Sequence, residues 1–316
     1  AGAIFKALQA LRAGFNSIIE ISDRTAISFS VSRSAFLDAE ERYTSFRSAI
    51  TTTAAQTGQS IQDVSETLFQ FGSAGLQAEE SLAALIPTQK LLIATDGDAT
   101  QTTKTLAAIY RILGKQLGAT ATQQEKFTRI ANVAAATYKN TQTELDEYNQ
   151  GLKFSLPVAK ELGLQLEEVS GILGFLNNNF IKSGQAGRAL RAVFARISAQ
   201  PKQFQQSFGI AFDPAKPLNF LDIIQQVSKR LDEGRLSADE VGTVFRRLGL
   251  RGSLAFLTLV KDFEGLEEVI NTIKRDSIDA GDSIAGIRID TFSRQIDILK
   301  QNALRLAEEA LKPIAD

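Results

Sequence analysis

The stretch SGQAGRALRAVFARISAQP, residues 183–201, decides how this chain folds and what it can bind. Two glycines, Gly184 and Gly187, precede apolar residues that recur every three or four positions. That spacing predicts a helix with one buried stripe: Ala189, Leu190, Val193, Phe194 and Ile197. Glycine-rich helix starts beside cations often hold phosphate, and Arg188, Arg191 and Arg196 supply the cations. The alternative is a close contact between helices at the glycines.

Helix packing accounts for this stretch better than an anion site does. A Walker-type phosphate loop follows a strand and ends in Gly-Lys-Ser/Thr, and neither feature is present. We expect the two glycines to let the preceding turn, Asn177–Asn179, lie close to the helix, with the arginines on its solvent side. The stretch therefore predicts no cofactor site.

Composition excludes several classes of function. The 316 residues are 44% hydrophobic, enough for a real core, and 35 basic residues balance 36 acidic ones. A net charge of -1 argues against a dedicated, sequence-specific nucleic-acid binder. The chain has neither Cys nor His, which removes thiolate metal ligands, Cys nucleophiles and the commonest general base. We predict no enzymatic activity, no catalytic residues and no bound metal.

Three groups of acids remain as candidate sites. Glu79-Glu80 and Glu167-Glu168 are adjacent pairs, and neighbouring side chains on a helix point about 100° apart, so neither pair can face one substrate. We interpret them as acids of a helix start. The segment Asp96–Asp98 resembles the beginning of a calcium loop but lacks the rest of that pattern, and it predicts a capped turn.

Capping residues, glycines and a proline divide the whole sequence into a series of predicted helices. Thr122–Glu125 and Ser237–Glu240 are capping boxes, and Ser60–Asp63 is a variant that starts a helix expected to end near Gly75. Four further helix boundaries are predicted, at Pro87, at the Asp96 turn, at Gly114 and at Gly118. The predicted class is all-α, a multi-helix bundle of short to medium helices with a longer amphipathic helix at each end. We divide it into residues 1–56, 57–255 and 256–316.

Each end of the chain carries an apolar seam. The N-terminal seam is Ile4, Leu8, Leu11, Phe15 and Ile18. The C-terminal seam is heptad-like and runs to Pro313: Ile289, Phe292, Ile296, Leu299, Ala303, Leu306 and Ala310. This second seam predicts either packing on the chain's own bundle or the start of a self-associating coiled coil.

Two blocks, residues 57–85 and 159–198, resemble the core of bacteriophage tail tape measure proteins. The first block has an Ala74-Gly75 turn followed by the acids at 79 and 80. The second has a Leu162-Gly163 turn, the acids at 167 and 168, the Asn177–Asn179 turn, and a Gly184–Gly187 start that leads into Ala189-Leu190-Arg191. The resemblance spans about residues 35–255. It departs at Phe180, where the family commonly has glycine.

This resemblance implies a virion structural protein of the tail lumen. Such a protein sets tail length, templates tube assembly and leaves the tube when DNA is ejected. The implied partners are tail tube, tail tip or baseplate hub proteins, assembly chaperones and further copies of the chain. We expect assembly in the host cytoplasm, and we expect this chain, which lacks Met, to be a piece of a longer protein. The alternatives are a helical adaptor or scaffold without a phage role, and a membrane-active delivery segment that contacts the membrane during ejection.

Overall fold

The structure of this chain is helical throughout its described residues. The computed structural model describes residues 16, 19–34, 38–210, 219–235 and 238–315. The helices are α1 (19–30), α2 (Ala39–Thr57), α3 (Ile61–Ser73), α4 (Ala78–Thr95), α5 (Ala99–Leu113), α6 (Gln123–Asn140), α7 (Leu145–Glu161), α8 (Leu166–Asn178), α9 (Ser183–Ala199), α10 (Pro201–Phe208), α11 (Phe220–Asp232), α12 (Ala238–Lys261), α13 (Phe263–Asp276), α14 (Ala280–Ile289) and α15 (Phe292–Ala315). Over those residues there is no strand, only one isolated bridge between Arg33 and Gln77. The all-α class is confirmed.

Local capping chemistry sets many of the helix ends. The Thr122 hydroxyl accepts from the Glu125 N–H at 3.2 Å and the Glu125 carboxylate accepts from the Thr122 N–H at 2.7 Å, which confirms this capping box. The bond from the Thr122 N–H, followed by one that the Thr122 hydroxyl donates to the same carboxylate at 2.9 Å, lowers the pKa of Glu125. The Ser60 hydroxyl accepts from the Asp63 N–H, and α3 ends just before Gly75 as predicted. The box predicted at residues 237–240 begins at Ser237, which lies outside the described residues.

The boundary predicted at Pro87 is wrong. Pro87 lies inside α4, which continues to Thr95. An interior proline removes one helical hydrogen bond and costs about 3 kcal/mol. The helix tolerates it because buried side chains lie on both sides of the proline, including Leu85 and Leu91. Burial of the flanking turns therefore outweighs a local signal that normally ends a helix.

The chain divides into two compact units. Unit 1 contains residues 1–107, 122–128 and 281–316, and unit 2 contains residues 108–121 and 129–280. One apolar cluster forms the core of unit 1: Ile21, Phe46, Ile50, Ala54, Ile61, Val64, Leu68, Ala78 and Leu85. These residues come from α1 to α4, and the C-terminal α15 packs on α2 in the same unit. The three domains predicted from the sequence, with boundaries after residues 56 and 255, stay a prediction.

Unit 2 contains helices α7 to α13, the end of α5 and most of α6. Helix α7 packs along α9, α9 packs on α12, and α8 packs on α13. The predicted stripe of α9 is confirmed, because Ala189, Leu190, Val193, Phe194 and Ile197 are all buried. Of the two long terminal helices that the seams predicted, the C-terminal one is α15, with 24 residues. The N-terminal seam at residues 4–18 lies outside the described residues.

Candidate functional site

The glycines at the start of α9 form a contact between helices. A Cβ placed on Gly187 would lie 2.3 Å from the Gly151 carbonyl oxygen and 2.9 Å from the Gly151 Cα, so α7 and α9 touch backbone to backbone here. At Gly184 the nearest atoms would be the mobile ends of Arg188 and Gln150, at 3.3 and 3.5 Å. The packing interpretation is confirmed for Gly187. The expected neighbour was wrong, because the glycine faces α7 and not the Asn177–Asn179 turn.

The three arginines of α9 do not converge on a site. Arg188, Arg191 and Arg196 are all exposed, as predicted. The Arg188 guanidinium lies over the ring of Phe154, 5.1 Å from the ring centroid, which is a cation–π contact within unit 2. In the first turn of α9, the Gln185 and Ala186 N–H groups already donate to the Lys182 carbonyl, at 2.8 and 3.3 Å.

The acids Glu167 and Glu168 stabilise helix starts and pair with cations of other helices. Glu168 accepts from the Gln165 N–H at 2.9 Å, which closes a capping box, and from Lys274 at 3.1 Å. Glu167 receives two hydrogen bonds from Arg129, at 2.7 and 3.0 Å, and its side chain is only 8% exposed. The two carboxylates therefore bind different cations, and the interpretation as helix-start acids is confirmed.

The Arg129 ion pair was not predicted, since its partners are 38 residues apart and no local pattern joins them. It lies near a buried tyrosine. The Tyr148 hydroxyl is 2.8 Å from the Ser170 hydroxyl, and burial, together with the charge of Glu167, raises the pKa of Tyr148 well above its usual range. A second polar cluster surrounds Asp276, where the hydrogen bond from Arg275 is the main cause of a lowered pKa. The two clusters join α6 to α8, α7 to α8 and α6 to α13 within unit 2.

The turn between α8 and α9 holds an aromatic residue in an unusual conformation. Phe180 has φ of 61°, the left-handed region that favours glycine, and its side chain is 81% exposed. Asn177 anchors the turn by donating to the Gln142 carbonyl at 2.8 Å and to the Glu147 carboxylate at 3.0 Å. The departure from glycine noted in the sequence thus coincides with the one backbone position of this turn that requires positive φ.

Among the described residues there is no group of three or more acidic side chains that could hold a metal ion. The Asp96–Asp98 segment is a capped turn, as predicted. Asp96 accepts from Arg288, and Asp98 accepts from the Gln101 N–H at 2.6 Å at the start of α5. In the same described part of the chain, the helices are all too short or too polar to cross a bilayer.

The C-terminal seam faces solvent along α15. Leu299 is 67% exposed and Leu306 is 60% exposed, and Ile296 and Ala303 are exposed beside them. The prediction that this seam packs on the chain's own bundle is therefore wrong for these four positions. The predicted start at Ile289 is also wrong, because α14 ends there and α15 begins at Phe292. Pro313 does not end the helix, which runs to Ala315, and the Ala310 side chain lies outside the described ones.

Comparison with known proteins identifies the family. A family model described as "Phage-related minor tail protein" matches residues 47–235, more than half of the chain. The chain belongs to this family of phage tail proteins. It is 26% identical over 211 residues to the tape measure protein of Pneumococcus phage Dp-1, a match that covers 64% of this chain and 18% of the relative. The resemblance to tape measure proteins is thereby confirmed.

A second relative shares a shorter region. The probable tape measure protein of Escherichia phage P2 is 32% identical over 75 residues, which is 24% of this chain and 9% of that protein. The chain thus spans less than a fifth of the length of either relative. No solved structure matches it.

Proposed function

We propose that this chain is the folded helical part of a tape measure protein, which sits in the tail lumen, sets tail length while the tube assembles around it, and leaves when DNA is delivered. The family match over residues 47–235 carries the proposal, and the names of both relatives support it. The polar clusters of unit 2 join helices to one another, as expected of a structural protein. In the virion its neighbours would be tail tube, tail tip or baseplate hub proteins, and during assembly in the host cytoplasm it would meet chaperones.

The ruler would lie mostly outside this chain. A continuous helix rises 1.5 Å per residue, so 316 residues would span at most about 470 Å. Over the described residues the chain forms separate helices, the longest of them 24 residues, and not one continuous rod. We therefore assign the folded region an assembly role, such as attachment to the tip or initiation of the tube, and assign the measuring role to helical sequence elsewhere in the protein.

Deletions in the encoding phage separate these two roles. In-frame removal of helical sequence outside the folded region should shorten tails by about 1.5 Å per residue, measured by electron microscopy of purified virions. Removal of α7 to α9 should instead abolish tails, because unit 2 loses its central helices. Tails of unchanged length after the first deletion would contradict the ruler, and normal tails after the second would contradict the assembly role.

A further inference from the structure

A long stretch of unit 2 carries cations and no acids. Residues 169–212 contain neither Asp nor Glu, although the chain as a whole has 36 acidic residues and 35 basic ones. The cations of this stretch are Lys182, Arg188, Arg191, Arg196 and Lys202. A net charge near zero over the whole chain therefore coexists with a positive region in and around α9.

Two lysines of α7 extend this positive region. Helix α7 packs along α9, and the Arg188 guanidinium lies over the Phe154 ring of α7, 5.1 Å from the ring centroid. Lys153, the neighbour of Phe154 in the chain, is exposed, and Lys160 is exposed two turns further along α7. Since Arg188 reaches across to α7, the exposed rows of the two helices adjoin. We call their cations the cationic face, which consists of Lys153, Lys160, Arg188, Arg191 and Arg196.

Acids of the chain do not neutralise the cationic face. Within the described part of the chain, none of its five cations lies within ion-pair distance of a carboxylate. Three other cations of unit 2 do pair with carboxylates: Arg129, Lys139 and Lys274. The exposed acids of α7 are Asp146 and Glu161, near its two ends, and α9 has none. The middle of the face is therefore purely cationic.

The uncharged surface around these cations indicates what kind of anion they meet. Its exposed side chains on α7 and α9, as far as they are described, are small, polar or proline: Gln150, Pro157, Gln185, Ala195, Ser198 and Ala199. A protein partner or a membrane would need a large apolar anchor, and a single nucleic-acid strand would need aromatic rings for its bases. A phosphate backbone needs only cations. We infer that the cationic face binds the backbone of duplex DNA without reading its sequence.

The cationic face is long enough to contact several phosphates. Lys153 and Lys160 are about 10.5 Å apart along α7, and Arg188 and Arg196 are about 12 Å apart along α9. Duplex DNA carries one negative charge per about 1.7 Å of its axis, so about seven phosphates fall within this length and each of the five cations can meet one. The inference rests on the proposed function for its setting, in which a chain in the tail lumen would lie on the path of the DNA.

Fluorescence anisotropy of a short fluorescein-labelled duplex, titrated with the full 316-residue chain, tests the inference. Each phosphate contact adds about 0.9 to the slope of log K against log salt, so five contacts predict binding about 500-fold weaker at about 100 mM NaCl than at about 25 mM. The double variant Lys153→Gln with Arg191→Gln keeps three contacts and should lose only about 40-fold over the same range. The matched control, Lys229→Gln with Lys261→Gln on α11 and α12, removes two other exposed cations of unit 2 and should keep the full loss.

The two double variants have the same net charge and change only exposed side chains, so both should keep the natural melting temperature. Equal salt dependence in the two would overturn the assignment to the cationic face, and a clear preference for one duplex sequence would overturn recognition of the backbone alone. Poly-glutamate or phosphatidylglycerol vesicles that displace the labelled duplex as well as unlabelled duplex does would overturn DNA as the partner. Absence of binding at the lower salt concentration would overturn the inference altogether, and would leave the proposed tape measure role to the tail-length experiment.

Discussion

Replacing Gly187 with alanine places a methyl group against the backbone of α7. The new Cβ would be 2.3 Å from the Gly151 carbonyl oxygen, 2.9 Å from the Gly151 Cα and 3.0 Å from its carbonyl carbon. Favourable contacts between such atoms begin near 3.5 Å, so the two helices would have to separate by about 1 Å. No side chain can rotate away to relieve this overlap, since all three atoms belong to the backbone.

The overlap should destabilise unit 2 by about 1–3 kcal/mol, the usual range for overpacking. Alanine also has a higher helix propensity than glycine, by up to about 1 kcal/mol, and this gain partly hides the loss. Gly184→Ala is the matched control, because it lies in the same helix and meets only the flexible ends of Arg188 and Gln150. The difference between the two variants therefore isolates the contact with α7.

Urea unfolding followed by circular dichroism at 222 nm gives this difference directly. We expect Gly184→Ala to be neutral or slightly more stable than the natural chain, and Gly187→Ala to be less stable than Gly184→Ala by about 1–3 kcal/mol. Gly187→Leu should lose more than Gly187→Ala. Equal stability of the two alanine variants would refute the backbone contact between α7 and α9.

Three other perturbations test the polar and strained positions. Glu167→Gln should destabilise the chain by about 1–3 kcal/mol in urea melts, because Arg129 loses a bidentate carboxylate. The control Glu161→Gln, on the exposed end of α7, should change the free energy of unfolding by less than about 0.5 kcal/mol. Phe180→Gly should stabilise the chain by about 1 kcal/mol, because glycine adopts the positive φ without strain. Phe180→Ala keeps that strain and should bring no such gain, so equal gains in the two variants would contradict this reasoning. Because folding raises the pKa of Tyr148, the unfolded tyrosine ionises first, so stability should fall as pH rises above about 10, and less steeply in Tyr148→Phe.

Sequence analysis is most accurate for features that depend only on residues close together in the chain. The capping box at Thr122 and the buried stripe of α9 both follow from residues within one or two turns, and both are present. Pro87 shows the limit of this reasoning, because tertiary burial of α4 overrides its local effect. The Arg129–Glu167 pair shows another limit, since a bond across 38 residues depends on how the helices cross.

The C-terminal seam on α15, whose Ile296, Leu299, Ala303 and Leu306 are exposed, shows why a correct periodicity can still leave the packing open. A heptad-like stripe states that one face of a helix needs a partner, but it does not state that the partner belongs to the same chain. On α15 the polar face is the one that unit 1 accepts, because the Gly58 carbonyl at the end of α2 provides an acceptor for Arg294 and the glycine leaves room for Ile298. Once that face is occupied, rotating α15 to bury Leu299 and its neighbours would expose Ile298 and break the contact at Gly58.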